Sequence, residues 1–171
     1  MSGTAITRYL LANNATLTAT VSADKIKPGL IPINTVLPAI SIRQISGREH
    51  QLIKRGSNQL VSERIQITAQ AKTYVEQKAI IALIRAALPG THATVNGFTV
   101  DSLTYESDGP DLEYENPVIF EQSLDYFVKF FRSSQQNAVR RNRTRPGDSG
   151  LFYDLNALVA QELLKWQHIQ Q

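Results

Sequence analysis

Apolar and polar residues alternate most cleanly between Val61 and Gln70. Val61, Glu63, Ile65, Ile67 and Ala69 fall on one face, and Ser62, Arg64, Gln66, Thr68 and Gln70 on the other. This period predicts a half-buried strand. Its polar face, uncharged apart from Arg64, suits solvent or a neighbouring subunit. Upstream, the run from Leu37 to Gly47 reads as a strand over about 38–46 with Ile40 and Ile42 on one face. Lys54 to Asn58 reads as the hairpin turn between the two strands. Downstream the period changes to 3.6: Val75, Ala79, Ile80, Leu83, Ile84 and Leu88 predict a helix over 73–88. Thr73 with Glu76 forms a capping box at its start, and Pro89-Gly90 stops it. Two further strands are expected over 94–105, interrupted at Asn96-Gly97, and over 117–131, where Val118, Phe120, Leu124, Tyr126, Val128 and Phe130 alternate with more polar positions.

The flanks are less regular. Ile6, Tyr9, Leu10, Leu17 and Val21 give a helical stripe broken at Asn13-Asn14, with Asn14 placed to cap a second turn. Residues 27–34 read as an extended linker because of their prolines and glycine. Near the other end, Leu155, Leu158, Val159, Leu163 and Trp166 predict a helix over 155–168. The expected fold is α+β: an antiparallel four-stranded sheet (β-β-α-β-β) packed by one central helix and an N-terminal helix. Three segments follow from this, an α+β domain over 1–131, an Arg-rich linker over 132–150 and a C-terminal helical extension over 151–171.

Composition narrows the function classes. A chain of 171 residues suffices for one domain with a real core. With no cysteine, disulfide scaffolds, thiolate metal sites and thiol nucleophiles are excluded. No basic region followed by a long apolar one opens the chain, so no signal peptide is expected. No window approaches the roughly 18 uninterrupted apolar residues of a membrane span, so no membrane partner is expected. The net charge of +3 is unevenly spread, since residues 1–131 carry 12 basic and 12 acidic side chains. The excess lies entirely in 132–171, with six basic and three acidic residues.

No constellation for catalysis, metal binding or a cofactor emerges. His50, His92 and His168 are far apart and fit no zinc spacing. The glycine-flanked 90–97 stretch lacks the Gly-Lys-Ser/Thr ending of a phosphate cradle. Glu106, Asp108, Asp111, Glu113 and Glu115 form an acidic run without the spacing of a calcium loop, and read as a solvated acidic hairpin. Against them stand Arg132, Arg140, Arg141, Arg143 and Arg145 in a segment with no acid. Three roles fit that segment: a solvated linker, docking on acidic protein surface, or salt-sensitive phosphate contacts to DNA. Aromatics are absent between 132 and 151, which disfavours single-strand stacking. Leu163 and Trp166 are the expected anchor of the terminal helix.

The runs Leu37–Gly47 and Ser62–Glu76, the helix end Ile84-Arg-Ala-Ala-Leu-Pro-Gly90, then Asn96–Ser102 and Gln122–Phe130, in that order and spacing, resemble the tail completion (tail terminator) proteins of tailed bacteriophages. The likeness covers about residues 4–131, and the extension beyond departs from the short members of that family. It implies a structural, non-enzymatic protein: a hexameric ring of this chain that caps the tail tube and joins it to the neck and head. The implied partners are further copies of the chain, tail tube proteins (with sheath if the tail contracts) and neck or connector proteins, with DNA passing through the ring. It implies assembly in the bacterial host cytoplasm and residence in the virion. A neck or head–tail connector ring near the portal and a non-viral nucleic-acid-binding module are the alternatives.

Overall fold

The computed structural model describes residues 2–32, 34–50, 58–88, 90, 93–95, 98–115 and 118–133. The first helix, α1 (Gly3–Ala12), ends just before Asn14, whose side chain accepts the Leu17 N–H at 3.0 Å and caps the short α2 (Ala15–Thr18). A 3-10 turn (Ala23–Lys25) then leads into β1 (Ile26–Pro28). The chain enters β2 (Ala39–His50) after a cis Leu37–Pro38 bond and turns back as β3 (Asn58–Ala71). Helix α3 (Tyr74–Ala87) begins with the Thr73 half of the expected capping box: Thr73 Oγ1 accepts the Glu76 N–H at 3.2 Å, while the Glu76 carboxylate reaches past the cap to accept the Lys72 N–H at 3.1 Å. Four strands follow: β4 (Ala93–Val95), β5 (Phe98–Asp108), β6 (Leu112–Glu115) and β7 (Val118–Ser133).

Among the described residues the sheet has seven strands in the order β1-β2-β3-β7-β5-β4, with β6 beside the first part of β7. It is mixed, because β1 runs parallel to β2. The expected four-stranded antiparallel sheet is therefore corrected on both counts. Three-residue strands such as β1 and β4 are too short for alternation to register. Pro28, read as a sign of a linker, sits at the last position of β1, where proline is tolerated.

One sheet face carries the core. The odd positions of β3 (Val61, Ile65, Ile67, Ala69) and the even positions of β7 (Leu124, Tyr126, Val128, Phe130) are buried with Ile6, Leu11, Ile80 and Ile84 of the helices. The stripe of α3 is rotated from its expected place. Val75 and Ala79 are exposed, whereas Gln77 and Ile81 are buried. Ile80 and Ile84 set the true centre of that face. Tyr9 is likewise exposed, and Leu11 takes the buried position in α1.

The opposite face of β3 keeps its polar character. Arg64 donates from Nε to Asp125 Oδ2 of β7 at 3.1 Å, and Gln70 Nε2 donates to Glu121 at 2.6 Å. Arg64 is thus neutralised across the strands by Asp125.

Candidate functional site

The acidic run is built into the sheet. Glu106 and Asp108 lie at the end of β5, Asp111 in the bend, and Glu113 and Glu115 in β6. The bend turns on Gly109, where a Cβ would meet Ser123 Oγ at 2.1 Å, and the Gly109 N–H donates to the Ser123 carbonyl at 2.8 Å. Beyond it, β6 and the first residues of β7 make a two-stranded finger in which Glu113 pairs with Phe120 and Glu115 with Val118. The sequence read this stretch as a solvated acidic hairpin. Its Leu-Glu-Tyr-Glu alternation was the signal for a strand.

Two bases on α3 fix the root of the finger. Lys78 and Arg85 are seven residues apart, about two helical turns, and so share a face. Lys78 Nζ donates to both carboxylate oxygens of Asp111 at 2.7 and 2.8 Å, and to Gln122 Oε1 at 2.9 Å. Arg85 pairs with Asp108 and lies over the Tyr105 ring at 5.2 Å. Phe120 meets Tyr74 of α3 edge-on, with ring centroids 6.3 Å apart. Glu106, Glu113 and Glu115 stay exposed on the outside.

The hydrogen bond from Lys78 holds the Asp111 carboxyl below its ordinary value of 3.8, and that from Arg85 does the same for Asp108. A carboxylate depressed in the folded state stabilises above its unfolded value and loses that contribution as pH falls through the lower, folded one. Lowering the pH through and below about 3.8 should therefore free the finger from α3. Amide exchange of β6 followed against pH should rise there before that of β3; simultaneous loss would contradict it.

Arg132, expected to open the basic segment, instead belongs to the sheet as the penultimate residue of β7. Its residue is 5% exposed. One guanidinium nitrogen lies 3.3 Å from Glu63 Oε1 and the other 2.9 Å from Glu49 Oε1. Glu63, 3% exposed on the core face of β3, accepts the Gly3 N–H at 2.5 Å through its other oxygen. A Cβ on Gly3 would stand 3.0 Å from that oxygen and 3.2 Å from Ile65 Cδ1, so a larger residue would require both side chains to shift by a few tenths of an ångström. The clamp ties the start of α1 to the end of β7. Arg132 is thus an internal partner rather than a free contact.

Several strand edges are uncovered among the described residues, the outer edges of β1 and β4 included, and two of them join exposed charge to exposed apolar side chains. β1 pairs only with residues 40–42 of β2, which leaves 43–50 with β3 as their described neighbour. There Arg43, Ile45 and Arg48 are exposed. The outer edge of β6 is the second. Open edges of this kind are templates for association.

Beside Arg85 a concavity of about 410 Å³ is lined by Leu88, Leu103, Tyr105 and Tyr126. Among the described residues no group of three or more His, Asp or Glu side chains is placed to hold a metal ion. No helix among them is long and apolar enough to cross a membrane. His50 lies in β2; His92 and His168 fall outside the described residues. So do Arg140, Arg141, Arg143, Arg145, Leu163 and Trp166, together with the expected terminal helix and the 54–57 part of the expected turn.

The search of curated proteins gives no match. Among solved structures, a chain from the "Virion of native gene transfer agent (GTA) particle" is similar, with a TM-score of 0.59 and 14% identity. The match covers 77% of this chain and 96% of that one. At this identity the likeness is one of fold. The family described as Tail completion protein gp17 matches residues 4–121. The chain belongs to that family, and is a structural tail protein of the bacteriophage type.

Proposed function

We propose that this chain forms a ring, six-fold by the family resemblance, which caps the finished tail tube and joins it to the neck. The observation carrying this reading is the family match over 4–121. The charged, uncovered edges of β2 and β6 support it, because a cyclic head-to-tail interface needs two different patches on each subunit. Tail tube proteins would meet one face of the ring, neck proteins the other, and DNA would pass through the centre. The role is one of binding, without turnover. In particles assembled without this chain, filled heads and free tails should accumulate separately, as counted by negative-stain microscopy. Joined particles in normal number would overturn the proposal.

Within this reading the domain over 1–131, which the structure carries on to Ser133, supplies the ring. Residues beyond it supply contacts to neighbouring proteins through Arg140, Arg141, Arg143 and Arg145, with Leu163 and Trp166 as the terminal anchor. A connector ring with these arginines toward DNA is the second reading, favoured by the absence of acid between 132 and 146. Under it, full-length protein should bind duplex DNA at low salt, and a chain ending at Ser133 should not.

A further inference from the structure

Resting on that ring reading, we propose that the subunit contact is made by the β6–β7 finger of one copy against the exposed stretch of β2 in the next, with Glu113 and Glu115 facing Arg43 and Arg48.

The two surfaces are complementary in kind. The finger carries Glu113 and Glu115 among exposed apolar side chains, Leu112 (42% exposed), Tyr114 (48%) and Val118 (53%). The β2 stretch carries Arg43 and Arg48 around Ile45, which is 50% exposed. The bulge between Gln44 and Ser46 brings Arg43 and Arg48 opposite Gln66 and Ser62, so both point to the same sheet face. The other carboxylates of the bend, Asp108 and Asp111, are already taken by Arg85 and Lys78. The finger joins two free carboxylates, and the β2 stretch two arginines beside a Glu49 already paired with Arg132, to exposed apolar area on an uncovered strand edge.

They cannot meet within one chain. Through β3, Arg43 lines up with Asp125 of β7 and Arg48 with Lys129, while Glu113 and Glu115 line up with Phe120 and Val118. The separation along β7 is therefore five to eleven residues, about 17–36 Å at strand rise. Three strand spacings, β2 to β3 to β7 to β6, add to it. Opposite ends of opposite edges are where a head-to-tail contact between copies places its two halves. With its root held on α3, the finger is presented in a fixed direction, which lowers the ordering cost of docking.

Charge reversal tests this directly. Glu113→Arg with Glu115→Arg, and separately Arg43→Glu with Arg48→Glu, should each weaken assembly roughly tenfold or more through like-charge contact. Combining all four reversals should restore it. The sites are exposed, and unchanged thermal melts would check folding. The chain lacks cysteine, so a Glu113→Cys, Arg48→Cys variant should oxidise to a covalent ladder ending at the ring size, whereas either single variant should stop at dimers. Rings that persist in both reversed pairs, or a double-cysteine variant without a ladder, would sink this contact and leave the ring standing. A wild-type chain that is monomeric both in solution and on purified tails would sink the ring reading itself.

Discussion

Replacing Arg132 by alanine should destabilise the domain by about 3–5 kcal/mol, the cost of leaving one partner of a buried ion pair unpaired. Glu63 would then sit on the core face of β3 with only the Gly3 N–H for compensation. Urea unfolding should give a lower midpoint at nearly unchanged slope. The paired replacement Arg132→Met with Glu63→Leu removes both charges at similar volume, and should come close to wild type. Two truncations sharpen this. A chain ending at Ser133 keeps the clamp and should fold like the full protein, whereas one ending at Phe131 should lose as much stability as Arg132→Ala. Equal midpoints for the two truncations would show that the clamp contributes nothing.

Phe130→Ala is expected to cost a similar amount, about 3–5 kcal/mol, for a different reason. Phe130 is fully buried, lies opposite Val61 of β3 and Val100 of β5, and meets the Phe98 ring edge-on with centroids 6.3 Å apart. Truncation leaves a cavity between the two strands flanking β7. Phe130→Leu keeps most of the volume and should lose much less. A chemical-denaturation series of wild type, Leu and Ala should separate lost packing from lost aromatic contact.

The parts of the fold legible in the sequence are those governed by a repeating local rule. Val61–Gln70 alternates over a full strand, Thr73 and Glu76 announce α3, and Asn14 announces α2; each behaves in the structure as its residues dictate. Local rules failed where the deciding partner was distant. Glu63 was legible as an inward position of β3, but its partner Arg132 is 69 residues away and was grouped with the arginines that follow it. Asp108 and Asp111 looked like part of an unneutralised acidic run because Arg85 and Lys78 lie on another element. In α3 Gln77 is buried where Val75 is exposed, and its Nε2 donates at 3.3 Å to Asp111, a partner 34 residues away. With Asp108 paired to Arg85 and Asp111 to Lys78, three of the five carboxylates, Glu106, Glu113 and Glu115, remain available for contacts.

Strand β7 runs without interruption from Val118 in the finger to Ser133, the last described residue. All 14 residues of β3 pair with it on one side, and β5 and β6 pair with it on the other. Tension applied between Val118 and Ser133 would therefore pull along the strand. Breaking free requires many ladder hydrogen bonds to slide together in shear, since peeling from one end would load them singly. A subunit gripped by neighbours at both ends of this strand resists extension through its backbone ladder, independently of the side chains that make the grip.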